Sequence, residues 1–220
     1  MSSGLRLLLA EGRNYILILA LLATALFFVH PLLVTLPLIG FGFLLYFFRD
    51  PKRTHPPEND AEIDFLAPAD GQVTAVDVVH DPYLFGGPAR MVTIFLSPLD
   101  VHVNRSPIGG RVTAVEHKPG LYRPAYLADA PSVNERNYVT VQSNETQCLL
   151  VQIVGVVARR VVCWVKVGDE LKRGEKFGLM KFGSSLQVFM PPETEMRVKL
   201  GTRVVGGETV IGVISRGTMD

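Results

Sequence analysis

The chain has 220 residues, which is enough for one domain of good size and an appendage. Hydrophobic residues make up 48% of it, a high fraction for a wholly soluble protein, so part of the chain is expected to lie in a membrane. The formal net charge of +1 provides no basic excess and therefore argues against a protein that binds nucleic acid through a basic surface.

The first predicted element is an apolar stretch at residues 15–48, which contains no Asp, Glu, Lys or Arg. One membrane-spanning helix needs about 20 apolar residues, so this stretch is too long for one span and short for two. Pro31 interrupts it near the middle, which predicts a tight helical hairpin. Basic residues flank both ends, and the positive-inside tendency places both ends in the cytoplasm. The flanking basic residues are Arg6, Arg13, Arg49, Lys52 and Arg53.

A secretory signal peptide is one alternative for this apolar stretch, and a buried core helix is another. The signal peptide is disfavoured because the stretch is too long and no small-residue cleavage site precedes its charged exit. We predict a membrane anchor at residues 1–53, a linker at 54–60 and a folded domain at 61–220. Pro56 and Pro57 would stiffen the linker, which would lift the domain off the bilayer.

The remainder of the chain consists mainly of short β-branched runs separated by Gly, Pro, Asn or Asp, a pattern typical of strands. The clearest runs are at residues 71–76, 91–96, 138–141 and 149–154. The predicted fold class is mainly β (α+β), a compact β-sandwich or barrel-like domain with one or two short helices. The pattern at residues 124–133 fits either a helix or a loop.

The chain has two cysteines, Cys148 and Cys163, which both lie in apolar, strand-like runs. This setting favours buried core thiols over a disulfide or a metal-binding pair. The spacing of Cys and His residues matches no zinc site, so no metal is predicted.

Two segments, residues 167–175 and 200–208, are imperfect copies of one strand-turn pattern. The pattern resembles the hammerhead of biotinyl and lipoyl carrier domains, and Lys181 follows a methionine near the place where such carriers are modified. A carrier module is therefore one alternative function. It is disfavoured because Lys181 leads directly into Phe182-Gly183-Ser184 instead of standing at an exposed hairpin tip.

The Gly183-Ser184 pair is the main candidate for chemistry, because a glycine-serine bond is one that a chain can cut by itself. Glycine can adopt positive φ and expose its carbonyl, and the Ser184 Oγ is one residue away as the attacking hydroxyl. Upstream, Asp70 at a turn and His102 between two valines could supply a carboxylate and a base. Taken singly, these residues fit a common loop, a turn aspartate and a partly buried histidine.

Together, five motifs in order make the chain similar, over nearly its whole length, to phosphatidylserine decarboxylase proenzymes of the short, membrane-anchored prokaryotic type. They are Phe48-Arg49-Asp50-Pro51, Pro68-Ala69-Asp70-Gly71, Asp100-Val101-His102-Val103-Asn104-Arg105 with Pro107 and Gly110, Asn134-Glu135-Arg136-Asn137, and Phe182-Gly183-Ser184-Ser185. Many longer relatives have a second histidine in place of Arg105 and a Gly-Ser-Thr motif in place of Gly-Ser-Ser. At both of these positions the chain resembles the short subclass of the family.

The resemblance implies autocatalytic serinolysis between Gly183 and Ser184, giving a β chain of residues 1–183 and an α chain of residues 184–220. Ser184 would become a pyruvoyl group, a self-derived cofactor that forms a Schiff base with phosphatidylserine and accepts electrons as CO2 leaves. His102 would act as the base, and Asp70 would orient its imidazole. The product would be phosphatidylethanolamine, and no metal is implied.

The resemblance also implies partners and a location. Arg105 and Arg136, with Arg159 and Arg160, are candidates to bind the lipid phosphodiester or carboxylate. The expected partners are phosphatidylserine, membrane lipid and the two fragments as a heterodimer, with a possible homo-oligomer and no nucleic acid. The expected location is the inner cell membrane, with the catalytic domain on the cytoplasmic side. A pyruvoyl-dependent decarboxylase of another amino compound stays open as an alternative.

Overall fold

The computed structural model describes residues 3–58, 60–124, 127, 129–155, 161–181 and 183–216. It divides the chain into two compact units, Met1–Lys52 and Arg53–Asp220. The first unit is helical and the second is built mainly from strands, so the predicted mainly β fold class with some helices is confirmed.

The first unit consists of apolar helices with one break. Helix α1 spans Ser3–Glu11, α2 spans Arg13–Val29, a 3-10 turn spans Pro31–Val34, and α3 spans Thr35–Phe47. His30 is extended, with φ −164°, and Pro31 has no N–H to continue the helix. The predicted interruption at Pro31 is therefore present, and α2 and α3 lie against each other on either side of it.

These helices fall short of a simple transmembrane pattern. In the described part of the chain, no single helix is both long enough and apolar enough to cross a membrane. Helices α1 and α2 meet that criterion together, but a bend of 77° separates them. None of the residues of α2 is buried, so its apolar side chains have no protein core around them.

The second unit contains one large antiparallel sheet and two small ones. Its strands are β1 Glu62–Leu66, β2 Gly71–Asp81, β3 Gly87–Leu96, β4 Val103–Arg105, β5 Gly110–Lys118, β6 Arg136–Gln142, β7 Gln147–Ile153, β8 Val161–Cys163, β9 Glu170–Leu171, β10 Lys176–Met180, β11 Ser184–Met190, β12 Glu195–Met196, β13 Arg203–Val204 and β14 Val210–Ser215. The large sheet has the order β13-β2-β3-β11-β7-β6-β5-β9, and the small sheets are β1-β14-β12 and β4-β10-β8. Short helix α4, Ala130–Val133, occupies part of the segment left open at residues 124–133, where residues 125, 126 and 128 lie outside the described part.

Strand β11 lies inside the large sheet, between β3 and β7. Its side chains alternate between the two faces, as strand geometry requires. Leu186, Val188 and Met190 belong to the main hydrophobic core, while Phe189 packs on a smaller cluster on the other face. By the same alternation, Ser184 at the start of the strand faces the core side.

The two predicted strand-turn copies belong to a larger internal repeat. Strand β2 begins with Gly-Gln-Val-Thr-Ala-Val at residues 71–76, and β5 begins with Gly-Arg-Val-Thr-Ala-Val at residues 110–115. Each has a register shift at its Val-Thr-Ala, and each pairs at a sheet edge with a two-residue strand from one copy, β13 or β9. Asp70 immediately precedes the first run, whereas Gly109 immediately precedes the second. The carboxylate is therefore present in one half of the repeat only.

Residues 53–56, at the predicted boundary between anchor and linker, are bound to other parts of the second unit. Arg53 donates to Asp70, and the Thr54 N–H donates to Glu208 Oε1 at 3.0 Å. The His55 Nδ1 lies 2.5 Å from the Gly207 carbonyl oxygen. Arg173 donates to the carbonyl oxygen of Pro56. Residues 53–56 therefore form a strap along the domain.

Candidate active site

The predicted scission site lies at the start of β11. Gly183 has φ +70°, a left-handed backbone conformation that residues with a side chain rarely adopt. Ser184 is fully buried, and its Oγ has no hydrogen-bond partner among the described residues. Phe182, on the other side of Gly183, lies outside the described part. The peptide bond between Gly183 and Ser184 thus follows a positive-φ glycine and precedes a serine whose buried hydroxyl has no described hydrogen-bond partner.

His102 lies beside this bond. It is fully buried and immediately precedes β4, which pairs with β10. The carbonyl oxygen of His102 accepts a hydrogen bond from the Met180 N–H at 3.2 Å. Because β10 leads into the scission turn, this pairing brings the imidazole next to Gly183. The Gly183 N–H donates to the Nε2 of His102 at 3.4 Å.

One ring nitrogen of His102 faces a hydrogen-bond acceptor, and the other faces a hydrogen-bond donor. Nδ1 lies 2.9 Å from the carbonyl oxygen of Asp100, which can only accept, so Nδ1 carries the proton. Nε2 receives the Gly183 N–H, so it carries a lone pair. The hydrogen-bond network therefore assigns the neutral Nδ1–H tautomer, which leaves a basic nitrogen beside the scission bond.

Asp70 lies toward the same end of the large sheet as the scission bond. Gln72 and Ser185 both pair with Phe95, one from each side of β3. Asp70 directly precedes the strand that carries Gln72. Since adjacent strands are about 4.8 Å apart, the two strands that carry Gln72 and Ser185 are about 10 Å apart at this row.

The carboxylate of Asp70 is bound to two groups. Each of its oxygens accepts a hydrogen bond from Arg53 Nη2 at 2.8 Å, and Oδ1 also accepts one from the Gly206 N–H at 2.8 Å. The Nδ1 of His102 takes the carbonyl of Asp100 as its partner, where the sequence analysis assigns Asp70. The orienting role of Asp70 stays a prediction.

A chain of buried polar side chains extends from His102 across the sheet. Asn137 Nδ2 donates to Gln152 Oε1 at 3.0 Å, and Gln152 Nε2 donates to Asn104 Oδ1 at 2.8 Å. Asn104 Nδ2 then lies 3.4 Å from the carbonyl oxygen of His102. The sequence analysis gave these residues no role. The available signal was Gln152, an amide in the otherwise apolar run at residues 149–154.

Arg105, a predicted substrate-binding residue, is buried three positions after His102. Its Nη1 donates to the carbonyl oxygen of Gly174 at 3.1 Å. Arg105 also borders a surface cavity of about 460 Å³, whose other lining residues are His55, Lys172, Arg173, Gly174, Glu175 and Lys176. Substrate binding by Arg105 stays a prediction, and Arg159 and Arg160 lie outside the described residues.

Arg136, the other predicted substrate-binding residue, lies on β6 in register with Ile153, which in turn pairs with Ser185. Its Nε donates to Tyr138 Oη at 2.7 Å, and its Nη1 donates to the carbonyl oxygens of Ser132 and Asn134. Burial raises the pKa of Tyr138 above its ordinary value. These bonds fix the arginine at the edge of a cavity of about 330 Å³ that is also lined by Tyr83 and Phe189. Its binding of substrate stays a prediction.

The carrier alternative requires an accessible lysine, and the structure does not provide one at the expected place. Lys181 is only 5% exposed and directly follows β10. A modifying enzyme attaches a prosthetic group to a lysine that stands free at a hairpin tip, so this buried position argues against a carrier.

Both cysteines are free thiols, as the sequence analysis expected. Cys148 is fully buried and Cys163 is partly buried. Burial raises the pKa of each thiol above its ordinary value. Across the described ranges, no three side chains of His, Cys, Asp or Glu are grouped closely enough to hold a metal ion.

Comparison with known proteins gives a consistent match. A family model described as phosphatidylserine decarboxylase matches residues 41–212, a range that includes Asp70, His102 and Ser184. A protein of Carboxydothermus hydrogenoformans is 43% identical over 93% of this chain and 95% of its own length. A protein of Symbiobacterium thermophilum is 44% identical over 92% of this chain and 93% of its own length. A protein of Syntrophus aciditrophicus is 40% identical over 92% of this chain and 95% of its own length. Each of these relatives is named phosphatidylserine decarboxylase proenzyme.

Proposed function

Because this chain belongs to the phosphatidylserine decarboxylase family, we propose that it is a proenzyme that cuts itself between Gly183 and Ser184 and then converts phosphatidylserine to phosphatidylethanolamine and CO2. The observation that carries the proposal is the state of the Ser184 hydroxyl. It is fully buried without a hydrogen-bond partner among the described residues, and it follows a glycine at φ +70° whose own N–H donates to the Nε2 of His102.

An unpaired buried hydroxyl needs an explanation, because leaving such a group unsatisfied costs about 1–3 kcal/mol. A serine retained for packing alone could be replaced by alanine without that cost. A serine that must attack the preceding carbonyl has to keep its hydroxyl free of competing partners. Among the described residues the hydroxyls of Thr146 and Thr194 are also buried and unpaired, so the distinguishing feature of Ser184 is its place after a positive-φ glycine.

The residues present can carry out the scission. The Oγ of Ser184 attacks the carbonyl carbon of Gly183 while its proton passes to the Nε2 of His102. The C–N bond then breaks, the same proton moves to the Ser184 nitrogen, and an ester joins Gly183 to the Ser184 oxygen. Loss of the Ser184 Cα proton with breakage of the Cβ–O bond frees the Gly183 carboxylate. Addition of water and loss of ammonia leave a pyruvoyl group at position 184.

The pyruvoyl group would form from Ser184 itself and would not bind as a separate ligand. The question is therefore whether Ser184 lies where that group is needed. Ser184 is on the core side of β11, inside the large sheet, and His102 accepts the N–H of the preceding residue, Gly183. When formed, the group supplies a carbonyl that binds the substrate amine and accepts the electron pair released with CO2. His102 would remain in place to hold or deliver a proton at Nε2.

We also propose that the first unit anchors the enzyme in the membrane, with the sheet domain on the cytoplasmic side. The apolar helices α2 and α3 support this, since α2 has no buried residues and many large apolar side chains on both helices are exposed. A lipid substrate whose acyl chains stay in the bilayer would require an enzyme at the membrane surface. Basic residues on either side of the apolar stretch support the cytoplasmic orientation.

The intact mass of protein recovered from washed membranes, with and without a hydrazine that traps carbonyl groups, tests this proposal. We expect fragments of residues 1–183 and 184–220, with hydrazine added only to the smaller one. Phosphatidylserine in mixed micelles should lose CO2, while free serine and phosphoserine should not. A single chain at full mass, or protein found only in the soluble fraction, would contradict the corresponding part of the proposal.

Replacing Asp70 with asparagine is expected to slow scission about tenfold or more. Asparagine can still accept the Gly206 N–H, but it removes the negative charge that pairs with Arg53 at 2.8 Å. The variant therefore tests whether that charge supports His102, since general-base catalysis is worth about 10²–10⁴-fold in rate. The measurement is the fraction of cut chain against time after cell-free synthesis.

The matched control for Asp70 is Asp64→Asn. Asp64 is also a largely buried carboxylate paired with an arginine, Arg173, at 3.2 Å in the same domain. It lies on β1 and makes no described contact with the scission turn. The control should lose stability and keep its rate of scission. Equal rates for the two variants would remove Asp70 from the mechanism.

A further inference from the structure

The partner of the His102 ring is a backbone carbonyl, so some other part of the chain must hold that carbonyl in place. Asp100 supplies the carbonyl oxygen at 2.9 Å from Nδ1. A carbonyl on an exposed loop would be a poor orienting group, because the loop could rotate it away. Asp100 is only 6% exposed, and its own side chain closes the loop around it.

The carboxylate of Asp100 makes two contacts. Its Oδ2 accepts the Ser97 N–H at 2.8 Å, and the Asp100 N–H donates to the Ser97 carbonyl oxygen at 2.9 Å, which together form a closed turn at residues 97–100. Its Oδ1 pairs with Arg203 Nη2 at 2.5 Å, from strand β13 at the edge of the large sheet. The turn is therefore fixed both within itself and to a separate strand.

We propose that Asp100, with Arg203, is a positioning residue for His102. The carboxylate fixes the turn, the turn aims the Asp100 carbonyl at Nδ1–H, and the lone pair is thereby kept on Nε2 beside Gly183. This inference rests on the proposed role of His102 as the base in scission. The orienting group in this inference is a main-chain oxygen, and the role of Asp70 stays a separate prediction.

The tautomer of His102 gives a direct readout that does not depend on activity. We would label the histidine rings with ¹⁵N in full-length Ser184→Ala protein and assign the His102 signals by their loss in a second His102→Gln variant. The expected spectrum shows a protonated Nδ1 and an unprotonated Nε2. Adding Asp100→Ala should move His102 toward a mixture of tautomers, with the shifts of the other four histidines unchanged.

Scission rates provide the second readout, in chains that retain Ser184. Asp100→Ala should slow scission at least about tenfold, because a misoriented His102 would lose part of the 10²–10⁴-fold rate increase that a general base provides. Asp100→Asn can still bond the Ser97 N–H and should recover part of the rate. Arg203→Gln removes only the ion pair and should match Asp100→Asn, and the double variant should be no slower than either, because both act through one contact.

The control is Arg197→Gln, which removes an exposed arginine paired with Glu195 at 2.8 Å away from the turn, and it should cut at the normal rate. Slower scission in Asp100→Ala with an unchanged His102 spectrum would show a general structural role and overturn the inference. Unchanged scission in both Asp100→Asn and Arg203→Gln would also overturn it, and these two variants serve if Asp100→Ala does not fold. Absence of scission in the parent chain would instead contradict the proposed function.

Discussion

Replacing Ser184 with alanine is expected to leave one uncut chain with no decarboxylase activity. Alanine removes the only hydroxyl attached to the residue that follows the Gly183 carbonyl, so neither the ester nor the pyruvoyl group can form. Because the Oγ has no described hydrogen-bond partner, its removal leaves no donor or acceptor unpaired in the core. The variant should therefore fold normally, and intact mass with thermal unfolding measures both outcomes.

The matched control is Ser185→Ala, at an equally buried serine on the same strand. Ser185 follows the scission bond by one residue and faces the opposite side of the sheet, so this variant should still be cut into two fragments. A Ser184→Ala chain that is cut at the normal rate would exclude Ser184 as the nucleophile. Loss of scission in both variants would indicate a packing effect at the start of β11.

The parts of the fold that could be predicted are those encoded by local pattern. Alternating β-branched runs gave the major strands, because a strand with one face in the core repeats every two residues. The break at Pro31 followed from a missing backbone donor. The strand-turn copies at residues 167–175 and 200–208 were visible because each turn needs glycines at fixed positions, and Gly168, Gly174, Gly201 and Gly207 all have positive φ.

The partners of the site residues could not be predicted in the same way. Asp70 and His102 are both polar residues near turns, and sequence alone does not say which acceptor reaches the imidazole. The choice depends on the turn at residues 97–100, which Arg203 contacts from a strand more than a hundred positions away. The strap at residues 53–56 was missed for a related reason, since prolines indicate stiffness and not the surface on which a segment lies.

The internal repeat carries a carboxylate before its first run only. The Gly-x-Val-Thr-Ala-Val runs of β2 and β5 occupy equivalent places, and each is flanked by one strand-turn copy. Asp70 stands where the other half has Gly109, and its carboxylate accepts the Gly206 N–H and pairs with Arg53. The role of Asp70 in scission stays a prediction, which the Asp70→Asn variant tests.

Replacing His102 with glutamine is expected to slow scission by about 10²–10⁴-fold, the usual contribution of a positioned general base. Glutamine has a similar length and can hydrogen-bond to the Asp100 carbonyl and the Gly183 N–H, so the buried polar groups keep partners. What it lacks is a nitrogen that can accept a proton from the Ser184 Oγ at neutral pH. The measurement is again the fraction of cut chain against time.

Hydroxylamine identifies the step that the His102→Gln variant blocks, because it cleaves an ester at Gly183 but leaves the normal peptide bond intact. If Nε2 accepts the Oγ proton, the ester never accumulates, and hydroxylamine releases no fragment from the variant. Fragment release would place the role of His102 after the ester, at the elimination step. The control, His117→Gln, changes a half-exposed histidine on β5 and should be cut at the normal rate. Equal rates for the two variants would contradict the assignment of His102 as the base.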